Sequence, residues 1–229
     1  MASLHGTVTA VELITPRMRR IRITATELRG LAWKPGQQVR VHAAADPAES
    51  SGKGPRRTYS ISSYQDDSIE LCVLDHGVAG PGTAWSRRIG VGQPVTFGKP
   101  EGKFVLQQAP YHLFAGEETA SVAFGPMLRA LPANAPAYGV VEVDTAEDRI
   151  SLPESITWRF REGASAASSQ TLVEAVAKLT LPDEPGIAYL AGEARTIQLV
   201  RRHLVGDRNW PRRNVLTKPF WTPGKTGMD

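Results

Sequence analysis

Residues 18–23 read Met-Arg-Arg-Ile-Arg-Ile, with apolar side chains at 18, 21 and 23 and arginines at 19, 20 and 22. Near-alternation of this kind predicts a strand with one buried and one solvated face. The same signal recurs through the first half of the chain. Residues 6–14 and 18–26 carry β-branched side chains in partial alternation, broken at Thr15-Pro16. Pro35-Gly36 marks a turn into a strand at 38–43. Residues 59–63 and 68–74 read as a strand pair joined at Gln65-Asp66-Asp67, and 94–98 as another short strand. Short strands at regular spacing predict an antiparallel barrel or sandwich. The stretch 46–55, polar and rich in Gly and Ser, reads as a mobile loop.

After about residue 108 the period changes. Short apolar runs at 112–115, 137–143, 156–160, 186–191 and 214–217 predict strands, and 119–131, 169–179 and 193–204 predict helices. Alternating strands and helices imply a mostly parallel sheet with helices on its faces. The expectation is an α+β chain of two domains. An antiparallel β-barrel occupies 1–108, and an α/β, Rossmann-like domain occupies 109–229.

Composition narrows the class. With 41% hydrophobic and 22% charged residues, the chain can build cores and is not disordered. No apolar run approaches the length that spans a bilayer, so membrane insertion is not expected. The first residues lack a basic segment followed by an apolar one, and the single cysteine, Cys72, rules out an internal disulfide. Together these give a cytoplasmic expectation. The net charge of +4 favours anionic ligands. Nucleic acid is set aside, because the arginines fall in short groups that suit solvated faces.

Four segments carry candidate chemistry. In the first, Arg56-Arg57-Thr58-Tyr59-Ser60, an arginine able to grip a phosphate precedes a tyrosine able to lie against a ring system and a serine hydroxyl. A hairpin strand with an exposed cation and a buried tyrosine explains the same residues. The second runs from Val73 through Asp75-His76-Gly77 to Gly80-Pro81-Gly82-Thr83 and Trp85. A glycine turn opening a helix near Thr83 offers backbone N–H groups and a positive dipole end to a pyrophosphate. The alternative is a plain chain reversal with Trp85 in the core. His76 has no partners at ligand spacing, so no metal site is assigned. The third and fourth, Gly116-Glu117-Glu118-Thr119-Ala120 and Ala191-Gly192-Glu193-Ala194-Arg195, fall where sheet strands end and helices begin. Thr119 is a candidate N-cap, and helix capping alone accounts for both. Neither carries G-x-G-x-x-G.

The order of these segments resembles the siderophore-interacting protein family, a branch of the ferredoxin-reductase-like flavoproteins. The likeness covers almost the whole chain. It rests on R-x-Y-S at 57–60, V-x-D-H-G at 73–77, G-P-G-T-x-W at 80–85, G-E-E-T-A at 116–120, A-G-E-A at 191–194 and Phe220-Trp221. The resemblance implies an FAD-binding barrel and a nicotinamide-binding α/β domain. By it, Arg57 holds an FAD phosphate, with Thr58 beside it in the same segment. Tyr59 stacks on the isoalloxazine, Ser60 approaches its reactive nitrogen, and Thr119 comes close to the flavin. Val73, Asp75, His76, Gly80, Pro81, Gly82 and Thr83 line the pyrophosphate and ribityl chain, with Trp85 supporting the turn. Gly192, Glu193 and Arg195 face NADPH or NADH, and Glu142 is a candidate for the ribose.

Departures from the family pattern are Ser62 in place of a second arginine, Tyr189-Leu190 in place of a tryptophan, and Gly125-Pro126 inside a helix. That proline predicts a helix that starts late or kinks. The implied activity is reduction of a ferric siderophore by NAD(P)H through FAD, releasing iron(II). Lys53, Arg56 and Lys218 are candidates for attracting the anionic substrate. The rival functions are a general NAD(P)H-flavin or ferredoxin-type reductase, with a ferredoxin as possible partner, and a non-catalytic siderophore-binding module.

Overall fold

A computed structural model describes residues 3–43, 55–77 and 80–225. Lys53 and nearly all of the loop expected at 46–55 lie outside the described residues. The chain divides into two compact units, residues 1–105 and 106–229.

The first unit is a closed antiparallel barrel. Its strands are β1 (Ser3–Thr15), β2 (Met18–Thr24), β3 (Gln38–His42), β4 (Arg56–Gln65), β5 (Ser68–Leu74) and β6 (Pro94–Gly98), in the order β1-β2-β5-β4-β3-β6. Alternation does here what the sequence suggests. Met18, Ile21 and Ile23 are buried, while Arg20 pairs with Glu12 and Arg22 with Glu70, each at 2.6 Å. Ile23, Val39, Val41, Ile61, Ile69, Leu71 and Phe97, each fully buried, fill the interior. Gly6 lets β1 close on β2, since a Cβ there would stand 2.7 Å from Ile23 and 2.9 Å from the Thr24 carbonyl. Helix α1 (Pro81–Arg88) follows β5 and places Trp85 and Ile89 on this core.

The second unit holds a five-stranded parallel sheet. Its strands are β7 (His112–Glu117), β8 (Ala137–Val143), β9 (Ile156–Phe160), β10 (Ile187–Glu193) and β11 (Val215–Trp221), in the order β11-β10-β7-β8-β9. Helix α2 (Glu118–Arg129) follows β7, α3 (Gln170–Ala177) follows β9, and α4 (Ala194–Arg202) follows β10. One sheet face sends Leu113, Ala115, Ala188 and Leu190 into a core with Leu172 and Val176 of α3 and Ile197 and Val200 of α4. The other stacks His112 and Phe114 on Tyr189, and Phe114 meets Phe124 of α2 edge-on. Chain order reverses between β7 and β10, so the switch point of the sheet lies at the carboxyl ends of these strands.

Two local expectations are narrowed. Helix α2 does not start late; it begins at Glu118 and runs past Pro126, with its body from Ala120 to Leu128 buried. That burial offsets the backbone hydrogen bond the proline forfeits. Strand β11 extends to Trp221 through Pro219, which an edge strand tolerates because one side of its ladder is unpaired.

Candidate functional site

In the barrel, β4 and β3 pair so that Arg57 stands opposite Val41 and Tyr59 opposite Val39. Arg57 and Tyr59 therefore share the face of β4 that carries buried Ile61. Thr58 and Ser60, opposite Arg40 and Gln38, point the other way. Tyr59 packs against the barrel core and stacks on Trp85, with ring centroids 5.7 Å apart and planes 25° from parallel. Burial pushes its phenol up against the opposing effect of the Arg57 charge, so it stays neutral at working pH.

The first turn of α1 closes over this pair. A Cβ at Gly82 would lie 2.5 Å from the Tyr59 hydroxyl and 3.5 Å from Cγ of Arg57. No side chain caps the first turn of α1, and Pro81 sits at its start. Arg57 donates to the Arg56 carbonyl at 2.7 Å and has no carboxylate partner among the described residues. An unpaired guanidinium thus runs beside an uncapped helix N-terminus and a half-buried aromatic ring. That combination suits a ligand with a flat ring and a phosphate.

The remaining residues of this segment serve the turn. Asp75 is held bidentately by Arg87 at 2.6 and 2.7 Å and accepts from the Gly77 N–H at 2.9 Å. The Arg87 hydrogen bonds keep its carboxyl below its ordinary value. Its side chain fastens the β5–α1 connection. Val73 and Thr83 are buried, and His76 is exposed. Arg56, exposed at the start of β4, belongs to this unit; Lys218, half-buried on β11, belongs to the other.

In the second unit the two glycine turns meet at the switch point. A Cβ at Gly116 would stand 2.2 Å from the Ala191 carbonyl, and one at Gly192, where φ is +117°, 2.6 Å from the Glu117 carboxylate. Only glycine permits this approach. The helix caps are Glu117 and Glu193, not Thr119. Glu117 accepts the Thr119 N–H at 2.9 Å, the Thr119 hydroxyl, and Nε1 of Trp221 at 3.0 Å. Glu193 accepts from Thr196 N–H at 2.9 Å and Thr222 Oγ1 at 2.8 Å. Thr119 and Glu193 are thereby engaged within their own turns, whereas Arg195, the second residue of α4, is exposed.

The two caps titrate oppositely. Burial, and then the neighbouring Glu118 charge, pushes the Glu117 carboxyl up to about 7. Burial also opposes ionisation of Glu193, but donors from Thr196, Thr222, Arg195 and Ser168 outweigh it and hold that carboxyl low. A carboxyl raised on folding adds stability at and below its unfolded value near 4.5, and that stability is lost as pH rises through about 7. Thermal unfolding of the second unit at about pH 5 and about pH 8 checks this. Glu117→Gln is expected to flatten the difference between the two conditions.

Sequence reasoning missed a buried ion network beside these turns. Arg161 grips Glu118 bidentately at 2.6 and 2.7 Å and lies 3.6 Å from Glu142, all three side chains being under a tenth exposed. Glu142 is fully buried and accepts from Ser169 Oγ at 2.5 Å, so it is not a ribose-binding carboxylate at an open strand end. Its expected role is corrected on that ground. Burial pushes its carboxyl up.

Comparison with known proteins gives this geometry a family. Residues 109–224 match the family described as siderophore-interacting protein, and 41–104 match the siderophore-interacting FAD-binding domain. The chain is 30% identical over 178 residues to the ferric vibriobactin reductase ViuB of Vibrio cholerae, covering 74% of this chain and 65% of that protein. A siderophore utilization protein from T. fusca superposes with a TM-score of 0.84 at 23% identity, over 100% of this chain and 95% of that one. A ferredoxin reductase of carbazole 1,9a-dioxygenase shares the fold, at TM-score 0.74 and 18% identity over 96% and 70% of the two chains. This chain belongs to the siderophore-interacting protein family and has a ferredoxin-reductase-like fold, with the family's FAD-binding domain in its barrel half.

Proposed function

We propose that this chain is an FAD-dependent reductase that takes a hydride from a nicotinamide dinucleotide and passes electrons to a ferric siderophore. The observation that carries the reading is the pairing of Arg57 and Tyr59 with the uncapped turn at Gly80–Gly82, inside the segment that matches the FAD-binding domain. The residues here fit FAD: a cradle that a Cβ at Gly82 would fill, a guanidinium with no carboxylate partner among the described residues, and a neutral aromatic ring.

FAD, when bound, supplies the step between a two-electron donor and a one-electron acceptor. The protein residues do the rest. Arg57 and the N–H groups at the start of α1 hold the pyrophosphate by charge and hydrogen bonds. Tyr59, braced by Trp85, offers a fixed ring face and brings no titrating proton. Ser60 points to the opposite face of β4 from Tyr59 and would contribute its hydroxyl there. The Arg87–Asp75 clamp keeps the β5–α1 connection in place. Reduction to iron(II) weakens binding by hard oxygen chelators, so release of the metal needs no protein acid or base. The basic Arg56 suits an anionic substrate.

The visible spectrum of the FAD-loaded protein tests the reading. Anaerobic NADPH or NADH should bleach the flavin bands, and a ferric siderophore should restore them while iron(II) accumulates. Bleaching restored only by a ferredoxin or free flavin would instead make the chain a general reductase. A chain that cannot be loaded with FAD would refute the proposal.

A further inference from the structure

We propose that Arg149, seated on the ring of Phe160, selects a nicotinamide dinucleotide bearing a 2′-phosphate over one without it. The inference rests on the nicotinamide-donor reading above and assigns the specificity of that same site. In an open α/β sheet a dinucleotide lies across the carboxyl ends of the strands, and its adenosine reaches the ends away from the switch point, here β8 and β9. An acidic side chain there favours a free ribose hydroxyl, and an arginine favours a ribose phosphate. Of the two acids at this strand end, Glu142 is sealed in by Ser169 and Arg161, and Asp144 accepts the Gly163 N–H at 2.7 Å.

Arg149 is built for the second role. Its guanidinium lies over Phe160 at 5.9 Å from the ring centroid, and its Nε donates to the Ala146 carbonyl at 3.0 Å. The plane and one edge of the fork are thus fixed, and the terminal nitrogens are left for a ligand. The turn beneath it is fixed as well. Thr145 donates to the Asp148 carboxylate from its N–H at 3.1 Å and from its hydroxyl at 3.2 Å, closing the short turn Ala146–Asp148. The Gly163 N–H binds Asp144 at 2.7 Å, tying the loop after β9 to the end of β8. Both Arg149 and Phe160 are exposed, and Phe160 is 40% accessible although it is a large apolar side chain. Among the described residues neither Glu147 nor Glu162 forms an ion pair with Arg149. Arg159, also exposed at this strand end, donates to the adjacent Trp158 carbonyl and adds positive charge. An exposed aromatic ring beneath an arginine fork open to a phosphate matches 2′-phosphoadenosine.

The test is isothermal titration of the FAD-loaded protein with 2′,5′-ADP and with 5′-ADP. The wild type should bind 2′,5′-ADP about 10- to 100-fold more tightly, the effect expected of one charge-assisted fork. Arg149→Glu should remove that preference and leave the affinity for 5′-ADP unchanged, with the unfolding temperature confirming the fold. Phe160→Ala, which frees the guanidinium without removing it, should weaken the preference partway. Equal affinities in the wild type, no binding of either nucleotide, or discrimination retained in Arg149→Glu would overturn the assignment. If NADPH or NADH still bleached the flavin, the donor reading would survive that failure. Discrimination at Arg149 with no bleaching by either would keep the site and reject the donor.

Discussion

Arg161→Leu is expected to destabilise the second unit by about 3–5 kcal/mol near neutral pH, the usual consequence of removing one partner of a buried ion pair. The guanidinium is 7% exposed and answers two carboxylates that are almost wholly buried, Glu118 and Glu142. Burial works against its charge, but Glu118 and its acidic neighbours hold it ionised. Leucine fills much of the same volume and leaves both carboxylates without a counter-charge. They then protonate in the folded state, so the deficit should shrink as pH falls toward about 5 and widen toward about 8. Urea unfolding at the two pH values measures it. A loss that is the same at both would mean that Arg161 acts through packing alone. Replacing Glu118 and Glu142 together with Arg161 by apolar residues should recover much of the loss, because the uncompensated charge and not the missing pair is what destabilises.

The same network shows where sequence reasoning stops. The strands were legible because burial on one face imposes a local pattern. Met18, Ile21 and Ile23 alternate with arginines, and the interior of the barrel follows from them. The switch to α/β was legible in the apolar runs at 112–115 and 186–191 and the helical periods between them. Arg161, in contrast, meets Glu118 across 43 residues, and Trp221 meets Glu117 across 104. Neither end of such a pair carries a local signature, and a glutamate at a strand end reads as a solvated cap until the sheet is assembled. Glu142, at such a strand end, reads as a candidate for the ribose, and only the assembled sheet shows it buried against Ser169 and Arg161.

The site was partly legible. Glycine turns at strand ends have a steric cause that survives in sequence, and Gly116, Gly192 and Gly82 all stand where a Cβ would collide. The segment 56–60 was harder. Its polar start hid a strand that begins at Arg56, formed because β3 supplies Val39 and Val41 across from Tyr59 and Arg57. The sharing of one face by Arg57 and Tyr59 follows from strand alternation. Their closure under the turn at Gly82 does not, because it depends on where α1 lands.

That closure makes Arg57→Glu the most informative change in the barrel. FAD affinity is expected to fall at least about 100-fold, as a charge-assisted contact to the pyrophosphate is lost and a like charge replaces it. Stability should behave differently. Arg57 bonds the Arg56 carbonyl and no carboxylate among the described residues, so its removal strands no buried partner. A glutamate beside the uncapped start of α1 would favour that helix by about 0.3–1 kcal/mol through the dipole. The apoprotein should therefore melt at the same temperature or slightly higher while it loses its cofactor. Fluorescence quenching of FAD gives the affinity, and calorimetry of the apoprotein gives the stability. A parallel loss of both would mean that Arg57 holds the barrel together, and unchanged FAD affinity would remove it from the phosphate site. The divergence of the two measurements separates a residue kept for its ligand from one kept for the fold.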